Sequence, residues 1–225
     1  MTPGIIDLHA HTFMSDGVLS PAETVRRAEH AGYAAIAITD HADASNLEFL
    51  LGGLQRFLAQ TQRYLGITVI PGVELTHAPP AQIASLTAQA RTLGARLVVL
   101  HGETVTEPVA EGTNHAGIEA GVDILAHPGL ITEEDAKLAA ERGTLLEISA
   151  RPGHAMANGH VARMAGRFGA ALVLNSDLHA PGDLLRPDFR RKVAAGAGLG
   201  EEDLRAIDQR MTSLVLKLRG HERIV

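Results

Sequence analysis

Leu97-Val98-Val99-Leu100-His101 is a run of four apolar residues closing on a single histidine. Such a run reads as a strand buried on both faces, because it leaves no polar side for water. Variants of the same form recur along the chain at Ile5–His11, Ala34–Thr39, Ile67–Glu74, Ile124–His127, Leu145–Ser149 and Leu172–Ser176. Helix signals lie between them. Ser20-Pro21-Ala22-Glu23 joins an N-cap, a proline at the first helical position and a capping-box glutamate. Asn46 opens a helical stretch running to Tyr64, and Thr132-Glu133-Glu134-Asp135 opens another that ends near Gly143. Gly159–Phe168 and Glu201–Leu218 complete the set, with Gly200–Val225 expected to close the chain as a helix. Repeated strand–helix alternation predicts an α/β fold with parallel strands. Seven such units close into a barrel more naturally than into an open sheet, though the pattern alone leaves both available. The longest connections, Gly102–Thr113, Ala150–Asn158 and Asp177–Pro187, each follow a strand. In a parallel barrel they would share the C-terminal face, where active sites sit.

Composition narrows the function classes. At 225 residues, with 45% hydrophobic and 20% charged, the chain can bury a core, and one domain over residues 1–225 is expected. It contains no cysteine, which excludes disulfides, thiolate metal sites and a cysteine nucleophile. Twelve histidines outnumber the five Phe and two Tyr together. The net charge of -6 disfavours a nucleic-acid binder that works by counterion release. No apolar run reaches the roughly eighteen residues of a membrane span, and the N-terminus lacks a basic leader region. A cytoplasmic protein without a membrane partner is the expectation.

The histidines and carboxylates cluster at strand ends. His9-Ala10-His11 places two imidazoles on one side of an extended segment, a weak motif by itself. Thr39-Asp40-His41 ends the second strand, Pro71-Gly72-Val73-Glu74 the third, His101 the fourth and His127 the fifth, and Asp177-Leu178-His179 follows the seventh. If the strands are parallel, these groups converge on one rim. Buried alone they are costly, and bound to cations they neutralise one another. The reading is a polynuclear metal site.

These residues carry a resemblance. Asp7-Leu8-His9-Ala10-His11, Ser15-Asp16-Gly17, Thr39-Asp40-His41-Ala42, Pro71-Gly72-Val73-Glu74, His101, Ala126-His127-Pro128 and Asn175-Ser176-Asp177-Leu178-His179 are similar, in order, to the motifs of the PHP (polymerase and histidinol phosphatase) family. The resemblance implies a distorted (β/α)7 TIM-like barrel with the metal site at the C-terminal face of the strands, holding two or three divalent ions and hydrolysing phosphoesters. It further implies one metal on His9, His11, Glu74 and Asp177, a second on Glu74, His101 and His127, and a third on Asp16, His41 and His179. Six imidazoles and three carboxylates without sulfur suit Zn, Mn or Fe better than Mg or Ca. Glu74 would bridge two ions and so lower the pKa of a shared water, which would attack phosphorus in line.

Further residues are candidates for handling the substrate. Arg151 would clamp a phosphate, with Arg186 a weaker candidate. His154 and His160 would serve as general acid or supporting donors, and Asp7 would either orient an imidazole or be a structural buried carboxylate. Glu103 and Glu107 read as solvated rather than as ligands, with a cationic substrate group as their alternative partner, and His30 and His221 read as solvated too. The leading expectation is a phosphomonoesterase acting on a small phosphorylated metabolite, similar to histidinol-phosphate phosphatases. Its partner would be a small-molecule phosphate ester, with nucleic acid disfavoured. A phosphodiesterase or nuclease is the alternative, with Arg186, Arg190, Arg191 and Lys192 as a basic strip. A noncatalytic RNA-binding subunit would instead predict lost ligands and a basic surface. An amidohydrolase would commonly need a lysine where the fourth strand ends on His101, and the first 136 residues hold none.

Overall fold

A computed structural model describes residues 4–219; His221 and the end of the expected closing segment lie outside them. Eight strands, β1 (Ile5–Asp7), β2 (Tyr33–Ile38), β3 (His41–Ala42), β4 (Thr68–Leu75), β5 (Leu97–His101), β6 (Ile124–Ala126), β7 (Leu145–Ser149) and β8 (Leu172–Asn175), form one parallel sheet. Its order is β1-β2-β4-β5-β6-β7-β8, with β3 paired on β4. The two ends meet beyond the regular ladder: Ala10 bridges Leu178, and the His11 amide donates to the Leu178 carbonyl at 2.7 Å. The sheet is thus nearly closed into a barrel, as expected.

Among the described residues eight α-helices lie between and after the strands, with α7 and α8 both following β8: α1 (Pro21–His30), α2 (Leu47–Thr61), α3 (Pro80–Thr92), α4 (Thr113–Ala120), α5 (Glu133–Arg142), α6 (Asn158–Phe168), α7 (Pro187–Gly196) and α8 (Glu201–Leu218). The anticipated caps are present, with Ser20 accepting from the Glu23 amide and Thr132 from the Asp135 amide. The sequence reading passed over α3 and α7 and gave α4 no extent. In α3 the apolar positions are sparse, and Ile83, Leu86 and Ala90 mark its buried face amid Ala, Gln and Thr. The expected strand Ile5–His11 is regular only to Asp7, because side chains take over the pairing. The Leu8 amide donates to Asn175 Oδ1 and the Ala10 amide to Thr39 Oγ1. The second strand breaks at Thr39-Asp40 and resumes as β3, where His41 pairs with Glu74.

The core is aliphatic and sits inside the barrel and between sheet and helices. Leu97, Val98, Val99 and Leu100 are all buried, which explains the absence of alternation in such runs. No helix among the described residues is long and apolar enough to cross a membrane.

Loop packing on the C-terminal face depends on one close approach. Gly129 has φ 60°, and a Cβ there would lie 1.8 Å from the Glu103 carbonyl oxygen. This contact holds the loop after β6 against the loop after β5. Gly143 has φ 77° but open space around it. Gly129→Ala should therefore destabilise the protein by about 3 kcal/mol and Gly143→Ala by about 1 kcal/mol. Urea unfolding midpoints of the two variants at unchanged slope check the difference; equal shifts would contradict it.

Candidate metal centre

Because the strands are parallel, their C-terminal ends bring side chains from distant positions to one cavity of about 390 Å³. Glu74, the last but one residue of β4, is fully buried, against His41 and His127 of the cavity lining. Its Oε1 lies 3.3 Å from His9 Nε2 and 3.5 Å from His127 Nε2. Its Oε2 lies 3.6 Å from His11 Nε2 and 2.6 Å from His41 Nδ1. Asp177, placed just after β8 with φ 56°, brings Oδ1 to 3.2 Å from His11 Nε2 and 3.8 Å from His9 Nε2. Asp16 Oδ1 stands 3.1 Å from His179 Nε2 and 3.5 Å from His41 Nε2. All nine side chains expected as ligands therefore face one region. Ligand atoms converge within 4.8 Å of one another in the groups His9–His11–Glu74, His9–His127–Asp177 and His11–Asp16–His41–His179. His101 groups with His127 and, beyond the expected set, with His154.

The fit of these residues to cations can be judged from their own bonding. Buried side-chain atoms without a hydrogen-bond partner include His9 Nε2, both His11 ring nitrogens, Glu74 Oε1, His101 Nδ1, His127 Nδ1, Asp177 Oδ1 and His179 Nε2. Outside this cavity the same condition among the described residues is confined to Thr24, Thr87 and Arg190. Leaving a buried polar atom unpaired costs about 1–3 kcal/mol, so such a concentration needs an offsetting partner. Several of these atoms sit 3.2–3.8 Å from opposite charges without hydrogen-bond alignment. Atoms aimed at a shared centre, rather than at each other, have this geometry. The donor set of imidazoles and carboxylates suits Zn, Mn or Fe.

The electrostatics point the same way. Burial alone would raise the Glu74 and Asp177 carboxyls, but His9 and the neighbouring imidazoles hold both well below the usual range. Burial likewise opposes charge on His41, yet Glu74 and Asp16 outweigh it and raise the imidazole to about 10. His9 and His127 are raised as well, against their burial, by carboxylates around them. Burial dominates at His11, which falls to about 3, and at His101 and His154, each lowered to about 4. The carboxylates thus draw positive charge into the cavity.

One residue that the sequence reading missed organises this cluster. Glu147, in the middle of β7, is fully buried. Its Oε1 accepts from His9 Nδ1 at 2.9 Å and Asn175 Nδ2 at 2.8 Å, and its Oε2 from the His127 amide at 3.1 Å. It fixes the ring that presents His9 Nε2 to Glu74. The available signal was a lone charge inside the apolar run Leu145-Leu146-Glu147-Ile148. Of the two roles open to Asp7, its bonds describe the buried structural carboxylate and not the orientation of a ring. Asp7 accepts from the hydroxyl and amide of Ser176 and from the His9 amide, not its ring, and burial raises its carboxyl to about 6.

The remaining candidates divide. Arg151 lines the cavity, its guanidinium lying against His179 Nδ1 and donating to the Asp177 carbonyl oxygen at 3.3 Å. His154 also lines it, with Nδ1 held 2.7 Å from Thr104 Oγ1. His160 does not reach the site: Nε2 donates to the Ile131 carbonyl oxygen and Nδ1 faces Arg163. The basic strip is interrupted, since Arg190 is buried against Asp208 at 2.6 Å, and Arg186 projects into solvent near Asp188. Glu103 is bound to the α4 N-terminus through the Asn114 amide. Glu107 is exposed, as expected, yet it also lines the cavity beside His101, His77 and His154.

Two outcomes follow. Glu147→Gln should weaken metal binding about 10- to 100-fold while the fold is retained, measured by titration calorimetry with Zn²⁺. Unchanged affinity would remove the orienting role. Because His9, His41 and His127 have raised affinities for protons, metal loading at pH 7 should release about one proton or more per chain. The dependence of binding enthalpy on buffer ionisation enthalpy reads this number.

Comparison with known proteins bears on family and partners. The PHP domain family model matches residues 7–165. The uncharacterized protein MJ1295 of Methanocaldococcus jannaschii is 49% identical over 200 residues, covering 88% of this chain and 92% of that one. Ribonuclease P protein component 3 of Methanosarcina acetivorans is 27% identical over 234 residues, covering 96% and 91%. Among solved structures, a chain of archaeal ribonuclease P with mature tRNA superposes with a TM-score of 0.71 at 15% identity, covering 98% of this chain and 95% of that one. The expectation of a small-molecule partner with nucleic acid disfavoured is overturned by these relatives, a ribonuclease P protein component and a chain of a ribonuclease P structure that contains tRNA. The motifs at the strand ends, the nearly closed parallel barrel and the family match agree: this chain belongs to the PHP domain family.

Proposed function

We propose that the protein is a metal-dependent phosphodiesterase acting on RNA. The observation that carries the catalytic part is the convergence of buried, hydrogen-bond-orphaned imidazole and carboxylate atoms on one cavity. A subunit that merely bound RNA would have no use for that costly arrangement. The RNA part is supported by the likeness to ribonuclease P protein component 3 over nearly the whole chain.

Two or three divalent cations held there would polarise a phosphoryl oxygen and supply an activated water. His9, His11, Glu74 and Asp177 would hold one, Glu74, His101 and His127 a second, and Asp16, His41 and His179 a third. Arg151, which lines the cavity, would donate to a non-bridging phosphate oxygen and so orient the diester. His154 is lowered to about 4 by burial, so at neutral pH it is a lone-pair donor to a cation rather than a general acid. Phe13, after β1, is 62% exposed, and Phe49, in the first turn of α2, is 66% exposed. Both stand at the C-terminal face, where a base can stack on an aromatic ring.

The test uses chelator-stripped protein reloaded with Mn²⁺ or Zn²⁺, given single-stranded RNA and matched aryl phosphate diester and monoester. RNA and diester cleavage should require metal and fall at least about 100-fold in His127→Ala. Cleavage of the monoester alone would overturn the diester assignment. RNA binding without metal-dependent cleavage would move the protein to a noncatalytic RNA-binding role.

A further inference from the structure

We propose that Glu107, carried by the loop between β5 and α4, is a metal ligand that completes from the solvent side the cation position begun by His101 and His127. This deepens the metal-dependent reading above and rests on it. The Glu107 carboxylate reaches over the cavity with both oxygens. Oε2 lies 3.1 Å from His101 Nε2 and 3.6 Å from His77 Nε2, and Oε1 lies 3.4 Å from His154 Nε2. The three imidazoles come from different places, the end of β5, the turn after β4 and the loop after β7. These approaches have ion-pair distances without hydrogen-bond alignment, as at Glu74 and Asp177 deeper in the cavity. His101, His127 and His154 already bring ligand atoms within 4.8 Å of one another. Glu107 forms a further such group with His77 and His101, so His101 is shared by the two sets, and a carboxylate oxygen beside imidazole nitrogens is a common complement for zinc and acceptable to manganese or iron.

The loop is built to hold the carboxylate there. At its base the Glu103 amide donates to Asn114 Oδ1, and the Asn114 amide donates back to Glu103 Oε1, each at 2.9 Å. Thr104 Oγ1 and Thr106 Oγ1 lie 2.7 and 3.3 Å from His154 Nδ1, tying the loop to the neighbouring one and leaving His154 Nε2 directed at Glu107. Gly129 lets the next loop press against the Glu103 backbone. His77 adopts φ 51°, and the other non-glycine residues in the left-handed region among the described residues are His127 and Asp177. Such a conformation carries strain, and all three residues line the cavity. Glu107 remains 39% exposed, so a phosphate oxygen arriving from solvent meets it first and must share or displace it.

The experiment measures metal content by elemental analysis, and Zn²⁺ or Co²⁺ affinity by titration, on the full-length protein. The variants are Glu107→Gln, Glu107→His, Glu111→Gln in the same loop, and His127→Ala; circular dichroism confirms each fold. Glu107→Gln should lose about one metal equivalent, or weaken one class of site at least about tenfold, and change the visible Co²⁺ spectrum. Glu107→His should restore the stoichiometry, and Glu111→Gln should match the parent. If Glu107→Gln matches the parent in stoichiometry, affinity and spectrum while His127→Ala loses metal, the proposal fails and the metal centre stands. If the parent protein takes up no tightly held metal, both fail.

Discussion

The buried carboxylate of Glu74 is the constraint around which the cavity is organised. An unpaired carboxylate at zero exposure would be prohibitive, so the structure surrounds it with His9, His11, His41 and His127. Those four rings come from three separate segments, which only a nearly closed parallel sheet brings to one point. The closing contact between Ala10 and Leu178 lies between His9-Ala10-His11 and Asp177-Leu178-His179. Barrel closure and site assembly are therefore the same event: the backbone bonds that seal the sheet also set His9, His11, Asp177 and His179 in register.

Support for the ring positions comes from the strands rather than the loops. Glu147 reaches from the middle of β7 to the His9 ring, the His127 amide and Asn175. Asn175 in turn accepts from the Leu8 amide. Asp40 does similar work at the break between β2 and β3, accepting from the amide and hydroxyl of Thr12 and the hydroxyl of Ser15. That places the turn bearing Asp16 next to His41. A network with all its members satisfied is stiff, and stiffness in the support is what lets ligand atoms remain unpaired among themselves.

Much of this was legible in the chain because strand ends are legible. A run such as Leu97–Leu100 announces a doubly buried strand, and its terminal residue then has a predictable location. Residues lying inside an element or at the tip of a loop were harder. Glu147 sits in an apolar run and was read as part of the strand, although a charge there has no solvent to reach. Glu107 is exposed, as read, but a loop position carries no periodic signal, and nothing in sequence brings it near His101 and His154. His160 erred the other way: nearness in sequence to His154 suggested a shared role, but it lies on α6, where the Ile131 carbonyl takes its Nε2. The helices α3 and α7 escaped because neither presents a long apolar stripe.

The charge of the chain is the last point on which sequence and site must be reconciled. A net charge of -6 suggests a molecule repelled by a polyanion. Part of that charge is concentrated, however: Glu74, Asp177, Asp16 and Glu107 gather at one cluster of imidazoles. Two or three divalent ions would add roughly four to six positive charges there, enough to offset or exceed these four carboxylates. A phosphate would then be drawn to the cavity by cations and by Arg151, with little need for a basic outer surface. Net charge measures affinity for nucleic acid when binding runs along the surface. In a protein whose charges are gathered to hold cations, the same acidic residues become the means of attracting the phosphate.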